Sequence, residues 1–246
     1  MELAKKVVER INGLLSSVCT ITPYREPLVG YASAQDNLFY QMKEVIGPHH
    51  LLPQEMLPDA KTVIAFFLPF GEEIVKANRQ EKEVAKEWAK AYEETNQLIG
   101  DISVRLKNEL EMQGIKATFQ KATHNFNEID LTASWSHKSA AFVAGLGTFG
   151  VNKMLITPAG CAGRFGSLVI SAEIPPSPRP SEEYCLYYRE GKCLACVKNC
   201  PVGALSIEEI DKKKCYKQLL QVAALFPGLC DVCGKCNIGP CALKRC

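Results

Sequence analysis

Hydrophobic positions recur with helical spacing at two places in the first half of the chain. The apolar residues from Leu3 to Leu14 predict an amphipathic helix over residues 2–17. A second series, from Val84 to Leu110, predicts a long helix. Gly114 follows this series directly, and glycine is typical of the position after a helix C-terminus. These two helices therefore have predicted ends as well as predicted apolar faces.

Shorter apolar runs predict strands between and after these helices. The run over residues 59–70 is bounded by Pro58 and contains Pro69, and its continuous apolar character is typical of a strand buried on both faces. The remaining patterns predict strands over 115–120, 154–157 and 165–171, the last two joined by a glycine-rich turn, and a helix over 136–145. The predicted fold class is α/β (α+β).

A proline-rich stretch over residues 174–180 predicts a boundary between two domains. Proline clusters are stiff and extended, and they continue neither helices nor sheet ladders. We expect an α/β cofactor-binding domain over 1–176 and a second domain over 181–246. The second segment consists of short loops rich in cysteine, glycine and lysine, so we expect it to need metal in order to fold.

The overall composition excludes few classes of protein. The 246 residues are 47% hydrophobic and 23% charged, and the formal net charge is +2. Such a balance favours a globular protein without a strong attraction to nucleic acid or to an anionic membrane. The sequence contains no apolar run of the roughly 18–20 residues that cross a bilayer and no signal peptide at its start. We therefore expect a cytoplasmic protein without a membrane partner.

Cysteine changes this picture, because most of the 12 cysteines lie between Cys185 and Cys246. Disulfides are rare in a reducing cytosol, so this density indicates metal binding. The run from Cys193 through Cys196 to Cys200 and its following proline matches the C-x2-C-x3-C-P part of a bacterial ferredoxin run, whose last thiolate binds a neighbouring cluster. The sequence therefore predicts two [4Fe–4S] clusters.

The expected first thiol of this run is replaced by Glu190, and Cys185 is our candidate for the displaced ligand. Crossed ligation predicts two ligand sets: Cys185, Cys193, Cys196 and Cys236 for one cluster, with Cys241 as the alternative to Cys236, and Cys200, Cys215, Cys230 and Cys233 for the other. Cys246 is interpreted as a bystander, and Cys19 and Cys161 as plain buried thiols. Structural zinc also uses paired C-x2-C turns, but the C-P signature favours iron–sulfur.

The residues from Gly145 to Gly150 formally match the G-x-G-x-x-G fingerprint of dinucleotide-binding folds. That fingerprint should follow a strand and open a helix, whereas here it follows a predicted helix and leads towards a strand. NAD binding remains an alternative. We favour a glycine turn that allows close backbone approach to a flat cofactor.

The segment over residues 135–152, the Ile-Thr-Pro and Gly-Arg-Phe-Gly-Ser segments after it, the run over 51–60 and the cysteine pattern resemble the epoxyqueuosine reductase family. More distantly they are similar to reductive dehalogenases. The similarity covers roughly Leu51 to Cys241. It implies a cobalamin (corrinoid) in a nitroreductase-like N-terminal domain, beside two [4Fe–4S] clusters in a ferredoxin-like C-terminal domain. The cluster nearer to cobalt would reduce it.

The resemblance also implies site residues. Asp130 is the nearest match to the family's catalytic aspartate, one residue out of register. Apart from the resemblance, His137 beside Trp135 is either a cofactor contact or proton donor, or a core or capping group. The residues expected to line the corrinoid are Gly145, Leu146, Gly147, Thr148, Phe149, Gly150 and Asn152 in the glycine loop, and Arg164, Gly166 and Ser167 in the segment after it.

The expected function is transfer of low-potential electrons from a ferredoxin or flavodoxin to the corrinoid. The reduced corrinoid would serve reductive chemistry on a small molecule or on a corrinoid-protein acceptor. Two alternatives are a ferredoxin-like electron-transfer protein without a corrinoid and an FMN-binding iron–sulfur reductase. We expect tRNA to be an unlikely partner, because the helical-repeat extension with which epoxyqueuosine reductases hold tRNA is not seen in this sequence. A homodimer is possible, since nitroreductase-like domains often pair.

Overall fold

A central antiparallel sheet organises the first three quarters of the chain. The computed structural model describes residues 2–122, 126–228 and 230–246. The sheet has the strand order β1-β2-β8-β3, and every neighbouring pair in it is antiparallel. β4 pairs with β5, and β6 pairs with β7, in two small ribbons. The strands are β1 Leu28–Ser33, β2 Thr62–Pro69, β3 Ala117–Thr118, β4 Phe126–Asn127, β5 Thr132–Ala133, β6 Thr148–Phe149, β7 Leu155–Ile156 and β8 Gly163–Ile170.

Helices cover both faces of this sheet and form much of the cysteine-rich segment. They are α1 Glu2–Ser17, α2 Asn37–Val45, α3 Pro53–Met56, α4 Glu72–Gln80, α5 Lys86–Met112, α6 His137–Val143, α7 Leu186–Glu190, α8 Ala195–Lys198 and α9 Lys212–Ala223. Two short 3-10 turns follow, at Lys235–Asn237 and Pro240–Ala242. In the described ranges, no helix is both long enough and apolar enough to cross a membrane.

β2 is buried along its whole length, and its alternating side chains join two different cores. Ile64, Phe66 and Leu68 pack with α1 and α5, whereas Val63, Ala65 and Phe67 pack with α2 and α6. Successive side chains of a strand point to opposite faces, so a strand covered on both sides is apolar on both; the hydroxyl of Thr62 at its start donates to the carbonyl oxygen of Ala172. The predicted two-sided burial is confirmed.

Most predicted elements are confirmed, with two differences. α1, α5 and α6 match the predicted helices, and Gly114 follows α5 with a φ of 77°. The strand expected over 115–120 is reduced to β3. The glycine turn between β7 and β8 does not form a hairpin, because β8 is already paired with β2 and β3 while β7 pairs with β6.

The cysteine-rich segment packs onto α4 and α5. Val222, Ile238 and Ala242 from this segment share a core with Phe70 and Trp88. The proline-rich stretch over 174–180 contains no regular element. The apolar residues of the segment after this stretch therefore pack against residues of the first part of the chain. The domain boundary at this stretch stays a prediction.

Candidate metal centre and cofactor cavity

A first group of thiols surrounds a small cavity beside α7 and α8. α7 begins directly after Cys185, and α8 carries Cys196 in its first turn. Cys193 stands between these helices with a left-handed φ of 75°. The turn at Pro240–Ala242 brings Cys241 to the same cavity from the far end of the chain. The cavity walls include Cys185, Cys193, Cys196 and Cys241, which we call the first thiol group, and also Cys246.

A second group of thiols lies close to the first. Burial, followed by the nearby Cys233, Cys215, Cys196 and Cys200, raises the pKa of Cys236 to about 12. Burial also raises the pKa of Cys215, near the start of α9, and Cys233 and Cys200 add to that shift. The second thiol group consists of Cys200, Cys215, Cys233 and Cys236. Among the described residues, no three His, Cys, Asp or Glu side chains form a set that could hold a single metal ion.

These groups differ from the predicted ligand sets at two cysteines. Cys241, not Cys236, lies with the first group, and Cys230 is separate from both groups. The Cys230 thiol lies 3.9 Å from the carbonyl oxygen of Ala89 and 3.7 Å from that of Pro227, against α5. The chain reverses at Gly234, whose φ is 68° and whose backbone packs on the Trp88 ring. This turn leaves Cys230 on the side of α5.

Cys161 is a further buried thiol, and it touches the first group. Its Sγ lies 3.8 Å from Sγ of Cys241, and its backbone N–H donates to the carbonyl oxygen of Cys241. The hydrogen bond with Cys241, followed by burial, raises the pKa of Cys161. The same hydrogen bond lowers the pKa of Cys241. Sequence reasoning missed this contact, because a single cysteine far from the cysteine-rich segment carries no motif.

Asn152 connects the glycine loop to the thiol groups. Its side chain is buried, and Nδ2 lies 3.3 Å from the carbonyl oxygen of Cys236 and 3.6 Å from Sγ of Cys161. Nδ2 also lies 3.3 Å from Oδ1 of Asn237, which in turn accepts from the Cys236 thiol at 3.5 Å. Asn152 was expected to line a corrinoid. Its side chain is instead directed to the thiols.

The other residues of the glycine loop pack against the protein's own backbone. A Cβ on Gly147 would lie 2.0 Å from the carbonyl oxygen of Ile156, and a Cβ on Gly145 would lie 2.5 Å from that of Pro178. Leu146 and Thr148 are buried. The close approach that these two glycines allow is therefore to the chain's own backbone. Phe149 and Gly150 line a separate apolar cavity beside α2.

Gly166 and Ser167 were also expected to line the cofactor, but both face the protein interior. A Cβ on Gly166 would lie 2.3 Å from the Phe66 ring. Ser167 is 1% exposed, and its Oγ accepts a hydrogen bond from Nε1 of Trp135 at 2.9 Å. These two residues therefore contribute to packing between β8 and its neighbours.

His137 completes a buried hydrogen-bond network with Ser167. Its Nε2 lies 3.1 Å from the carbonyl oxygen of Lys121, an acceptor only, so Nε2 carries the proton in this network. Nδ1 then accepts from Oγ of Ser167 at 2.8 Å. Burial lowers the pKa of His137 to about 4, so the ring is neutral at pH 7. Both ring nitrogens are bonded within the protein, as the core interpretation of this residue requires.

An open cavity of about 230 Å³ lies between the start of α6 and the start of β8. Arg164 lines it, with its guanidinium 4.2 Å from the centre of the Tyr92 ring. The Nε of Arg164 is buried without a hydrogen-bond partner. A larger cavity of about 580 Å³ lies against α5, and Ala122 lines both this cavity and the cavity of about 230 Å³. The other residues around the smaller cavity include Trp135, His137, Lys138, Met154 and Phe165.

Asp130 is exposed, in the short connection between β4 and β5. Its Oδ1 accepts hydrogen bonds from the backbone N–H of Thr132 at 3.1 Å and from Oγ1 of Thr132 at 2.6 Å. The bond from the Thr132 hydroxyl lowers the pKa of Asp130. The carboxylate is therefore ionised at neutral pH in this conformation and could not donate a proton.

The fold and the site together define a mixed α/β protein with two thiol groups, one of them around a small cavity, and a separate open cavity at the start of β8. In sequence, the chain is 27% identical over 197 residues to an epoxyqueuosine reductase from Francisella cf. novicida, covering 74% of this chain and 50% of that protein. It is 25% identical over 183 residues to an epoxyqueuosine reductase from Bacillus cereus, covering 71% of this chain and 44% of that protein. This chain therefore spans about half the length of the curated relatives it matches. No family model matches the chain.

Solved structures extend the similarity to nearly the whole chain. A selenomethionine-labelled epoxyqueuosine reductase aligns with 98% of this chain and 66% of its own, with a TM-score of 0.59 and 17% identity. A reductive dehalogenase aligns with 76% of this chain and 26% of its own, with a TM-score of 0.52 and 16% identity. That structure suggests a mechanism for B12-dependent dehalogenation. This chain therefore has the fold of epoxyqueuosine reductases and reductive dehalogenases, and the resemblance stated from the sequence is confirmed.

The comparisons correct one expectation and weaken another. One matched structure is an epoxyqueuosine reductase with a tRNA-Tyr epoxyqueuosine-modified tRNA stem loop; it covers 89% of this chain and 57% of its own, with a TM-score of 0.59. The expectation that tRNA is an unlikely partner is therefore wrong, because the matched part of the chain is shared with a reductase solved with a tRNA stem loop. The names of the matched proteins give the FMN alternative no support.

Proposed function

We propose that this chain is an iron–sulfur reductase that passes single electrons through two [4Fe–4S] clusters to a bound corrinoid. The observation that carries the proposal is the separation of eight cysteines into two adjacent groups, one of them around a cavity. Four thiolates are the complement of one cubane cluster. The similarity to epoxyqueuosine reductases and to a B12-dependent dehalogenase supports the corrinoid as the acceptor.

The ligand sets that we propose follow the two thiol groups. Cys200, from the Cys193–Cys200 run, would bind the second cluster, and Cys241, from the end of the sequence, would bind the first cluster. Such crossed ligation is typical of two-cluster ferredoxins. Thiolates this close repel one another, which contributes to the raised pKa values of Cys215 and Cys236. Positively charged iron would offset this repulsion, so the donor chemistry fits a cluster.

Under this proposal the two parts of the chain have different tasks. Residues 1–176 form a nitroreductase-like α/β domain that holds the cofactor, and residues 181–246 form a ferredoxin-like domain that holds the clusters. Free thiols in such number suit a reducing cytoplasm. A ferredoxin or flavodoxin would be the electron donor.

The cavity between α6 and β8 is the proposed corrinoid site. Its walls fit a large cofactor in one respect, because the buried Nε of Arg164 is a donor without a partner. Arg164 would donate this hydrogen bond, and Trp135 and Phe165 would supply flat apolar walls that exclude water. A bound corrinoid would supply a cobalt centre able to take up single electrons and to cleave a polar bond reductively. The adjoining cavity of about 580 Å³ is in the usual size range of cofactor and ligand sites.

Asp130 is our candidate for the proton donor, and it would need to move in order to act. A matched Bacillus subtilis epoxyqueuosine reductase is described with its catalytic loop swung out of the active site. By analogy, the exposed Asp130 segment corresponds to an open arrangement. Loss of the Thr132 hydrogen bonds and burial on closing would both raise the pKa of Asp130 towards that of a proton donor.

The proposed substrates include a tRNA. This is supported by the matched reductase that was solved with a modified tRNA stem loop. A small molecule and a partner corrinoid protein remain candidates, because this chain spans about half the length of the curated relatives. All three require reduction at the same cofactor.

Anaerobic reconstitution with iron and sulfide tests the cluster assignment. We expect about eight iron atoms per chain for the parent protein and about four for Cys241→Ser. Cys230→Ser is the matched control, because its thiol lies beside the backbone carbonyls of Ala89 and Pro227, outside both groups in the described part of the chain, and should leave about eight. Bound zinc in place of iron, or equal iron loss in both variants, would overturn the assignment.

Incubation with hydroxocobalamin or FMN tests the acceptor. We expect the reconstituted protein to retain the corrinoid through gel filtration, with a visible spectrum that changes when the clusters are reduced. Arg164→Met should weaken retention without lowering the iron content, because it removes the guanidinium donor but not a thiol. Retention of neither cofactor would favour the electron-transfer alternative.

A further inference from the structure

Cys161 belongs to neither thiol group, yet its sulfur contacts a member of the first. Sγ of Cys161 lies 3.8 Å from Sγ of Cys241, and the side chain of Cys161 is fully buried. Cys161 comes from the turn between β7 and β8, so it reaches the thiol cavity from the α/β part of the chain.

The surroundings of Cys161 leave its S–H proton two acceptors. Nδ2 of Asn152 is a donor and lies 3.6 Å from the sulfur, so it occupies an acceptor position of Cys161. The two acceptors within reach are the sulfur of Cys241 at 3.8 Å and the carbonyl oxygen of Asn237 at 4.0 Å. A thiolate of a metal ligand is the stronger acceptor, because hydrogen bonds to charged groups are stronger than neutral ones. The Cys161 proton is therefore directed to Cys241.

The backbone holds this contact in place. Gly160 has a φ of 84°, and a Cβ on it would lie 2.2 Å from the carbonyl oxygen of Ala242. The next two residues, Cys161 and Ala162, both donate backbone hydrogen bonds to Ala242 at 3.0–3.1 Å. The turn and the 241–242 segment therefore lie in direct backbone contact, and the two sulfurs are fixed relative to each other.

We propose that Cys161 is a positioning residue that donates its S–H to the Cys241 ligand and so raises the reduction potential of the first cluster. The inference rests on the proposed iron–sulfur function. Reduction adds a negative charge that spreads onto the ligand sulfurs, and a hydrogen bond to such a sulfur stabilises the reduced form more than the oxidised form. Cys161 is not a ligand under this proposal.

Potentiometric titration followed by electron paramagnetic resonance tests the proposal on the reconstituted protein. Cys161→Ala should keep about eight iron atoms per chain but move one of the two clusters to a more negative midpoint potential. We expect the reduced-to-oxidised ratio of that cluster at a fixed potential to fall about tenfold, or about 59 mV for a one-electron couple. Cys161→Ser retains a hydroxyl donor and should restore the parent potential. The Cys241→Ser variant identifies which signal belongs to the first cluster.

Cys230→Ala is the matched control, because it removes a second buried thiol that touches no member of either group. It should leave both potentials unchanged. Loss of about four irons in Cys161→Ala would overturn the proposal by making Cys161 a ligand, and full iron with unchanged potentials would overturn it by making the contact irrelevant. Absence of iron from the parent protein would instead refute the iron–sulfur function itself, so the two failures are distinguishable.

Discussion

The central sheet and the thiol-bearing segment achieve order in different ways. Every residue of β2 is buried, and its two faces belong to separate apolar cores. By contrast, α7 and α8, which carry or adjoin the thiols of the first group, bury no residue. Apolar burial is the dominant favourable term in folding, so the sheet is stable through its own contacts. The thiol-bearing segment buries too little apolar surface at α7 and α8 to be stabilised in the same way.

Two kinds of interaction can stabilise that segment: contacts with α4 and α5, and bound metal. Lys235 and Gly234 dock on Asn78 and Trp88, and Val222 joins the core beside them. These contacts are made by residues outside α7 and α8, and α8 is linked to them through the turn at Lys235–Asn237. The part nearest the first thiol group is therefore the part that depends most on the proposed cluster. Loss of iron should therefore affect the thiol-bearing segment most, and core substitutions should affect the sheet most.

Removal of iron should produce the largest difference between the two regions. With the clusters gone, the thiolates repel one another, and no residue of α7 or α8 is fully buried, so we expect local unfolding over residues 185–200. Hydrogen exchange there should accelerate about a hundredfold, while amides of β2 and β8 stay protected. Hydrogen exchange with mass spectrometry on holoprotein and chelated protein measures both in one experiment. Equal exchange over 185–200 in both forms would contradict the contrast.

Phe66→Ala should act on the sheet instead. Phe66 is fully buried, and its ring fills the space beside Gly166, so truncation leaves a cavity in the core. We expect a loss of about 3–5 kcal/mol in the free energy of unfolding of the α/β part. Ile21→Ala is the control, because Ile21 is 82% exposed and should change little. Denaturant unfolding measures the loss. If Phe66→Ala lowers the free energy of unfolding no more than Ile21→Ala does, packing of the Phe66 ring in β2 does not stabilise the core.

Elements that depend on periodicity were predictable, and contacts between distant segments were not. β2 could be found because two-sided burial leaves an uninterrupted apolar run, and α5 because its buried side repeats over seven turns. β1 and α2 were not predicted. Both are short, Gly30 interrupts the apolar run of β1, and β1 is recognisable only once β2 is beside it.

The cysteine pattern predicted two groups but not their exact membership. The sequence left open whether Cys236 or Cys241 joins the first set, and it placed Cys230 in the second. In the structure Cys241 lies at the cavity of the first group, and Cys230 lies against α5. The contact between Cys161 and Cys241 joins residues 80 positions apart, and no spacing rule reports such a pair.

Acidification should destabilise the α/β part through His137. Above about pH 6.5 the imidazole is neutral in both the folded and the unfolded chain, and it makes no difference to stability. Burial lowers its pKa to about 4 in the folded protein, so between these values only the unfolded chain binds the proton. Stability should therefore fall by about 1.4 kcal/mol per pH unit, or about 2 kcal/mol from pH 6.5 to 5.

Denaturant unfolding at several pH values measures this effect. His137→Gln should flatten the slope between pH 6.5 and 5, at the cost of lower stability at neutral pH. His49→Gln replaces an exposed histidine and serves as the matched control. If His137→Gln and the parent protein show the same slope, the buried network around Ser167 does not hold the ring neutral.

Lys235→Met should weaken the docking between the two regions without disturbing either interior. Lys235 is 6% exposed, and its Nζ donates to the carbonyl oxygens of Asn78 and Glu81 at 2.6 and 2.7 Å. Methionine keeps the length of the side chain but leaves both acceptors without this donor, so we expect a loss of about 1–2 kcal/mol. Because Lys235 lies between Cys233 and Cys236, the loss should be accompanied by faster iron release from the second thiol group.

The matched control is Lys116→Met, which removes an exposed ion pair with Asp59 on the sheet side of the molecule. Exposed pairs of this kind contribute about 0–1 kcal/mol, so iron release should be unchanged there. Iron release to a chelator, followed by absorbance, compares the two variants directly. If both variants release iron at the parent rate, the C-terminal segment is held by its thiols alone, and the contact with α4 is not part of what orders it.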